Sequence, residues 1–176
     1  MTTNQSYDSK TISYHWISAG GILALWFIGQ NIDSFAKGDP RVMVRSIHIV
    51  IGLMLAVLFI LRLKWKVQGG TKLPQATPGV LGKLATGTHH LLYLMMGLTI
   101  VVGIVSVWIR GDNIFNLFQI PAFDPGNKEL RRNTNDLHEL LANALLVLAA
   151  GHALIAIWHH KIVKDGVLKR MWPSLK

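Results

Sequence analysis

The sequence predicts an all-α membrane protein, a four-helix transmembrane bundle, on three observations. First, 51% of the residues are hydrophobic and only 15% are charged, which is outside the usual balance for a soluble domain of this size. Second, the apolar residues gather in four windows at 12–32, 47–63, 91–109 and 137–158, each close to the roughly 20 residues that span about 30 Å of hydrocarbon. Third, short polar loops join the windows, so a soluble bundle of the same helices would have almost no amphipathic surface to face water. With their polar flanks, spans are expected at about 12–32, 47–63, 88–109 and 137–160, in one domain covering 1–176.

The first window follows Lys10 and could be mistaken for a signal peptide. No clear small-residue cleavage site follows Phe27, and His15 and Trp16 stand near its start, so it is expected as a mature helix. Pro40 interrupts the loop before the second window. Gly69, Gly70, Pro74 and Pro78 interrupt the loop before the third, and Pro121, Pro125 and Gly126 the loop before the fourth. Tyr14, Trp16, Trp65, Trp108 and Trp158 fall near span ends, where amphipathic rings settle at the interface.

Four spans put both termini on one side, together with the loop between the second and third. That side carries Lys10, Arg62, Lys64, Lys66, Lys72, Lys83, Lys161, Lys164, Lys169, Arg170 and Lys176, against Asp8 and Asp165. On the other side Lys37, Arg41, Arg45, Arg110, Lys128, Arg131 and Arg132 are offset by acids. The positive-inside rule therefore predicts cytoplasmic termini in a bacterial inner membrane. The formal charge of +9 reads as a topology signal toward anionic lipid headgroups, not as a nucleic-acid surface.

The chain has no cysteine. Disulfides, thiolate-held clusters, thiol nucleophiles and covalent CxxCH haem attachment are excluded, and a metal would have to be held by histidine, methionine or oxygen. Eight histidines in such a chain need a reason, because ionisable groups in a bilayer are costly and mark functional paths. His15 opens the first span and His48 the second, while His138 and His152 lie 14 residues apart on the fourth. At 100° and 1.5 Å per residue that spacing leaves the last two on nearly one face, about 40° and about 21 Å apart. In an antiparallel bundle His48 then meets the depth of His138, and His15 that of His152.

Two imidazole pairs at two depths suit two b-type haems, each iron gripped from both faces by helices of the bundle. Gly52, a turn from His48, and Gly151, beside His152, leave room for a flat ring. A zinc site fits less well, since His138-Glu139 lacks the second histidine of HExxH. A lone histidine in a membrane helix is as readily a hydrogen-bonded structural group, so the weight rests on the four together. His89 and His90 open the third span, with Tyr93 and Gly97 following. They are expected to contact a haem propionate or a quinone, to act as interfacial caps, or to place one ligand where His15 would otherwise serve. His159 follows His152 by seven residues, about 10 Å nearer the cytoplasm. With His160 it is a candidate quinone or propionate contact.

Tyr14 to Trp16 (YHW), Ile47-His48, His89 with Tyr93, the LHELLAN run at 137–143, Gly151-His152 and the tail HHxxxxDxxLxRMxP at 159–173 together resemble the prokaryotic cytochrome b561 family along essentially the whole chain. The resemblance implies His15 with His152 as axial ligands of a cytoplasmic-side haem, and His48 with His138 for a periplasmic-side haem. It also implies the superoxide oxidase type of activity, in which electrons pass from superoxide to ubiquinone. The alternative is a quinone-linked conduit for a periplasmic redox partner or enzyme subunit, and a haem-free transporter using the histidines as a metal or proton path is a third reading. Arg41, Arg45, Arg110, Arg131 and Arg132 are the expected electrostatic attractors for superoxide. Expected partners are membrane lipid, ubiquinone and superoxide or that redox partner, with no nucleic acid.

Overall fold

The computed structural model describes residues 6–77 and 79–174; Pro78 and Lys176, named above, lie outside the described residues. The chain forms four long helices, α1 (Ser9–Asn31), α2 (Asp39–Gln68), α3 (Gly79–Arg110) and α4 (Lys128–Trp158). Helices α2, α3 and α4 each enclose one apolar window and start well before it, while α1 starts before its window and stops one residue short of its end, where a 3-10 turn (Ile32–Ser34) takes over. The extensions arise because the polar flanks carry helix signals of their own. Asp8 caps α1, accepting from Thr11 N at 2.9 Å, and Asn127 caps α4, accepting from Leu130 N at 2.9 Å. Pro40 sits in the first turn of α2, where its missing N–H costs nothing. At the other end of α2, the amides of Gly69 and Gly70 both donate to Trp65 O and close the helix.

All four helices are long and apolar enough to cross a membrane. Helix α1 packs chiefly on α2 and α3 on α4, so the bundle consists of two antiparallel hairpins with a sparser seam between them. The most buried side chains are small and polar: Ser18 donates to Tyr14 O at 2.6 Å, and Ser46 to Val42 O at 2.7 Å. Large apolar side chains point outward instead, Phe27 being 64% and Val147 72% exposed. That inversion suits a hydrocarbon solvent, which needs the apolar groups outside and satisfied polar groups inside.

Two small elements were not apparent in the sequence. The α3–α4 connection holds a two-stranded hairpin, β1 (Asn113–Ile114) with β2 (Phe118–Gln119), register Asn113↔Gln119 and Ile114↔Phe118. Its turn uses Phe115 and Asn116 at φ 52° and 58°, a left-handed pair that matches strand twist but lacks the usual Asn-Gly signature. It docks on α2, where Ser46 Oγ accepts from Phe115 N at 2.9 Å. Past Trp158, α4 widens into one π turn (His159–Val163) that ends at Lys164 with φ 57°. The helical extrapolation from His152 to His159 therefore stops at this turn.

Candidate haem sites

The bundle has two levels, one toward the termini and one toward the β1–β2 hairpin. In every helix the residues at these levels are 14 apart: His15 and Gly29 on α1, His48 and Arg62 on α2, His89 and Gly103 on α3, His138 and His152 on α4. The hairpin level thus holds His48, His138 and two glycines. The terminal level holds His15, His89, His152 and an arginine.

The hairpin level brings His48 and His138 together, with ring centroids 6.2 Å apart and planes crossed at 86°. Helix α3 orients the second ring, for His138 Nδ1 donates to Thr99 O at 3.1 Å. The neutral ring then presents an unprotonated Nε2, the usual arrangement for a metal-binding imidazole whose other nitrogen is tied to a carbonyl. His48 Nδ1 is buried without a hydrogen-bond partner among the described residues. A bond of about 2 Å from each imidazole nitrogen to a metal, plus about 1 Å from nitrogen to ring centre, sets trans imidazole centroids about 6 Å apart. The His48–His138 pair fits a haem iron on this count.

Glycine makes the approach possible. A Cβ on Gly103 would stand 2.8 Å from His138 Cε1, and one on Gly29 would stand 3.2 Å from His48 Cε1. These two residues were missed in the sequence, although both fall on the 14-residue spacing that picks out the histidines. A Cβ on Gly52 or Gly151 would meet nothing within 4 Å, so these two glycines border open space and do not press on a ring.

At the terminal level His15 and His152 have centroids 6.3 Å apart at 73°, the same separation as the first pair. His89 comes closer to His152, at 5.3 Å and 70°, too close for an iron held trans between the two. On geometry His15 is the better partner for His152, and His89 is a neighbour of the pair. Arg62 Nη2 lies 3.2 Å from His15 Nδ1. A guanidinium only donates, so Nδ1 accepts and the neutral ring carries its proton on Nε2. Ligation through Nε2 requires Arg62 to yield this contact.

His90 is exposed and His160 half-buried, while His159 Nδ1 pairs with Asp165 Oδ2 at 2.5 Å across the π turn. The expected superoxide attractors divide. Arg41 is tied to Asp33 at 3.1 Å and to the carbonyls of Asp33 and Phe35. Arg45 and Arg110 share the buried Asp112, at 3.8 and 2.7 Å, and Arg110 also donates to Asn135 Oδ1 at 3.1 Å. Arg131 has a buried Nε with no partner among the described residues, and Arg132 is exposed. An apolar cavity of about 410 Å³ opens at the terminal end between the start of α1 and the tail, lined by Ile12, Trp16, Met171, Trp172, Pro173 and Ser174.

Comparison with known proteins agrees with this architecture. The family model described as prokaryotic cytochrome b561 matches residues 6–174. Cytochrome b562 of Cereibacter sphaeroides is 30% identical, the match covering 97% of this chain and 98% of that protein. A protein of Yersinia pestis named probable superoxide oxidase CybB is 27% identical over 97% of this chain and 98% of its own. Cytochrome b561 homolog 2 of Escherichia coli K12 is 28% identical, over 96% and 92%. Four apolar spans, a two-level set of imidazoles and a match running from residue 6 to residue 174 lead to one conclusion: the chain belongs to the prokaryotic cytochrome b561 family of membrane electron-transfer proteins, whose prosthetic group is b-type haem.

Proposed function

We propose that this protein carries electrons from superoxide at the hairpin end to ubiquinone at the terminal end, with His48 and His138 as one haem-ligand pair and His15 and His152 as the other. The observation that carries the reading is the pair of matched imidazole couples, 6.2 and 6.3 Å apart, at two heights in one bundle. A b-type haem held between the imidazoles of each couple would supply reversible one-electron chemistry. The basic terminal end faces the cytoplasm in this reading.

The chain's own residues would do the rest. At the hairpin end Arg45 and Arg110 share a single carboxylate, Asp112, which leaves a net positive field there for an approaching anion. At the terminal end the apolar cavity beside Trp16 and Trp172 offers a seat for a quinone's isoprenoid tail. His159 donates through Nδ1 to Asp165, which leaves Nε2 as the lone-pair nitrogen that would take up a proton and then pass it on. The reaction balances as two superoxide anions, one quinone and two protons giving two molecules of oxygen and one quinol. A relative bearing the superoxide oxidase name supports the donor.

Stopped-flow mixing of the purified protein with superoxide tests this assignment. The reduced-haem absorbance should rise at a rate that falls as salt is raised, since ions screen the arginine field within about 10 Å at 0.1 M. A rate indifferent to salt, or no reduction at all, would point instead to a protein electron donor.

A further inference from the structure

Helix α2 departs from the other three at the terminal level: where they carry His15, His89 and His152, it carries Arg62. Lys66 follows one turn later on the same face. Both cations lie over one ring, the Arg62 guanidinium 5.0 Å and Lys66 Nζ 4.2 Å from the centre of Tyr93. Among the described residues neither has a carboxylate partner. Two like charges one turn apart repel, and an aromatic face attracts a cation without neutralising it. The hairpin level differs, for there Arg45 and Arg110 converge on Asp112. The terminal level therefore has an unmet demand for anionic oxygen beside an imidazole pair, and Arg62 already spans the gap by donating to His15 Nδ1.

We propose that Arg62 and Lys66 form a clamp for the propionate carboxylates of the terminal-level haem, with Tyr93 as the platform that sets their height. This rests on the assignment of His15 and His152 as that haem's ligands. A carboxylate gives Arg62 a bidentate, charge-matched acceptor in place of a neutral ring nitrogen. The exchange releases His15 Nδ1 to take its proton, so that Nε2 faces the iron. Carboxylate binding and imidazole ligation at this level thereby become one coupled event, with Arg62 shared between them.

The test uses the full chain in nanodiscs, reconstituted with protohaem or with its dimethyl ester, which lacks the carboxylate charge. In the wild type, the ester should bind the terminal site at least tenfold more weakly than protohaem. In the R62Q/K66Q double variant the two should bind within about twofold, and one of the two waves in a redox titration should shift negative while the other holds. R62K, which keeps the charge but loses the fork, should recover only part of the discrimination, and one haem retained at the hairpin level reports that the variants fold. An ester penalty equal in wild type and double variant overturns the proposal. So does a wild-type wave that moves with the phosphatidylglycerol content of the disc and not with the ester, because the cations then serve lipid phosphate. Retention of both haems in His152→Ala would instead defeat the ligand assignment, an outcome separable from either.

Discussion

At the scale of single residues, the close approach of glycine to imidazole is the sharpest constraint. Gly103 leaves His138 no space for a methyl, a Cβ there standing 2.8 Å from Cε1, and the facing helix backbone cannot give way cheaply. Gly103→Ala should therefore tilt the ring away from Thr99 O and lower the haem-to-protein ratio toward one, read by pyridine haemochrome, while stability falls by about 1–3 kcal/mol. Gly52→Ala, bordering open space, should change neither by a comparable amount; equal effects at both positions would sink the steric account. The histidines themselves were legible in the sequence, because their cost in a bilayer makes them conspicuous and a 14-residue spacing fixes height and face together. The glycines were not, since a glycine in a membrane helix is common and only the partner ring reveals which one is under pressure. Arg62 was read as a loop-side topology charge, and its position among the imidazoles needed the fold.

Among the elements, the start of α1 and the end of α2 are joined through one carboxylate. Asp8 Oδ1 accepts from Thr11 N at 2.9 Å and from Trp65 Nε1 at 3.0 Å, while Oδ2 accepts from Thr11 Oγ1 at 2.7 Å and Thr71 N at 2.9 Å. Burial by itself would raise the Asp8 pKa, but the Thr71, Thr11 and Trp65 donors outweigh it and hold the carboxyl well below the usual range. A depressed folded value gives stability that is fully present above the unfolded pKa, about 3.9, and is lost as pH falls toward the folded one. Asp8→Asn should cost about 1 kcal/mol at neutral pH as a weakened cap, and the gap in thermal midpoint between variant and wild type should close below about pH 4. A gap that stays constant with pH would remove the charge from the explanation. The four helices were legible here because length and apolarity suffice. The hairpin at 113–119 and the π turn were not, because Phe115 and Asn116 adopt left-handed backbone without a glycine, and a π turn leaves no periodic trace in five residues.

For the molecule as a whole, sidedness is open to a direct measurement, because the chain contains no cysteine and any introduced thiol is unique. Asn116→Cys in the hairpin turn should react with a membrane-impermeant maleimide in intact spheroplasts, and Ser174→Cys in the tail only after the membrane is breached. The reverse pattern would invert the topology and place the basic end outside. The charge asymmetry was readable from the loops alone, whereas the grouping into two hairpins with a looser seam was not, since composition says which faces are apolar and not which neighbours they choose.

The 14-residue interval between the two levels, about 21 Å along each helix axis, covers some two thirds of the hydrocarbon. A charge crossing the full thickness exchanges about 2.3 kcal/mol with every 100 mV of transmembrane voltage. An electron driven inward between the levels would climb about 1.6 kcal/mol per 100 mV, roughly 70 mV of driving force. Respiring cells would then slow this step and uncoupled ones would speed it, making the throughput of the bundle a gauge of how well the membrane is energised.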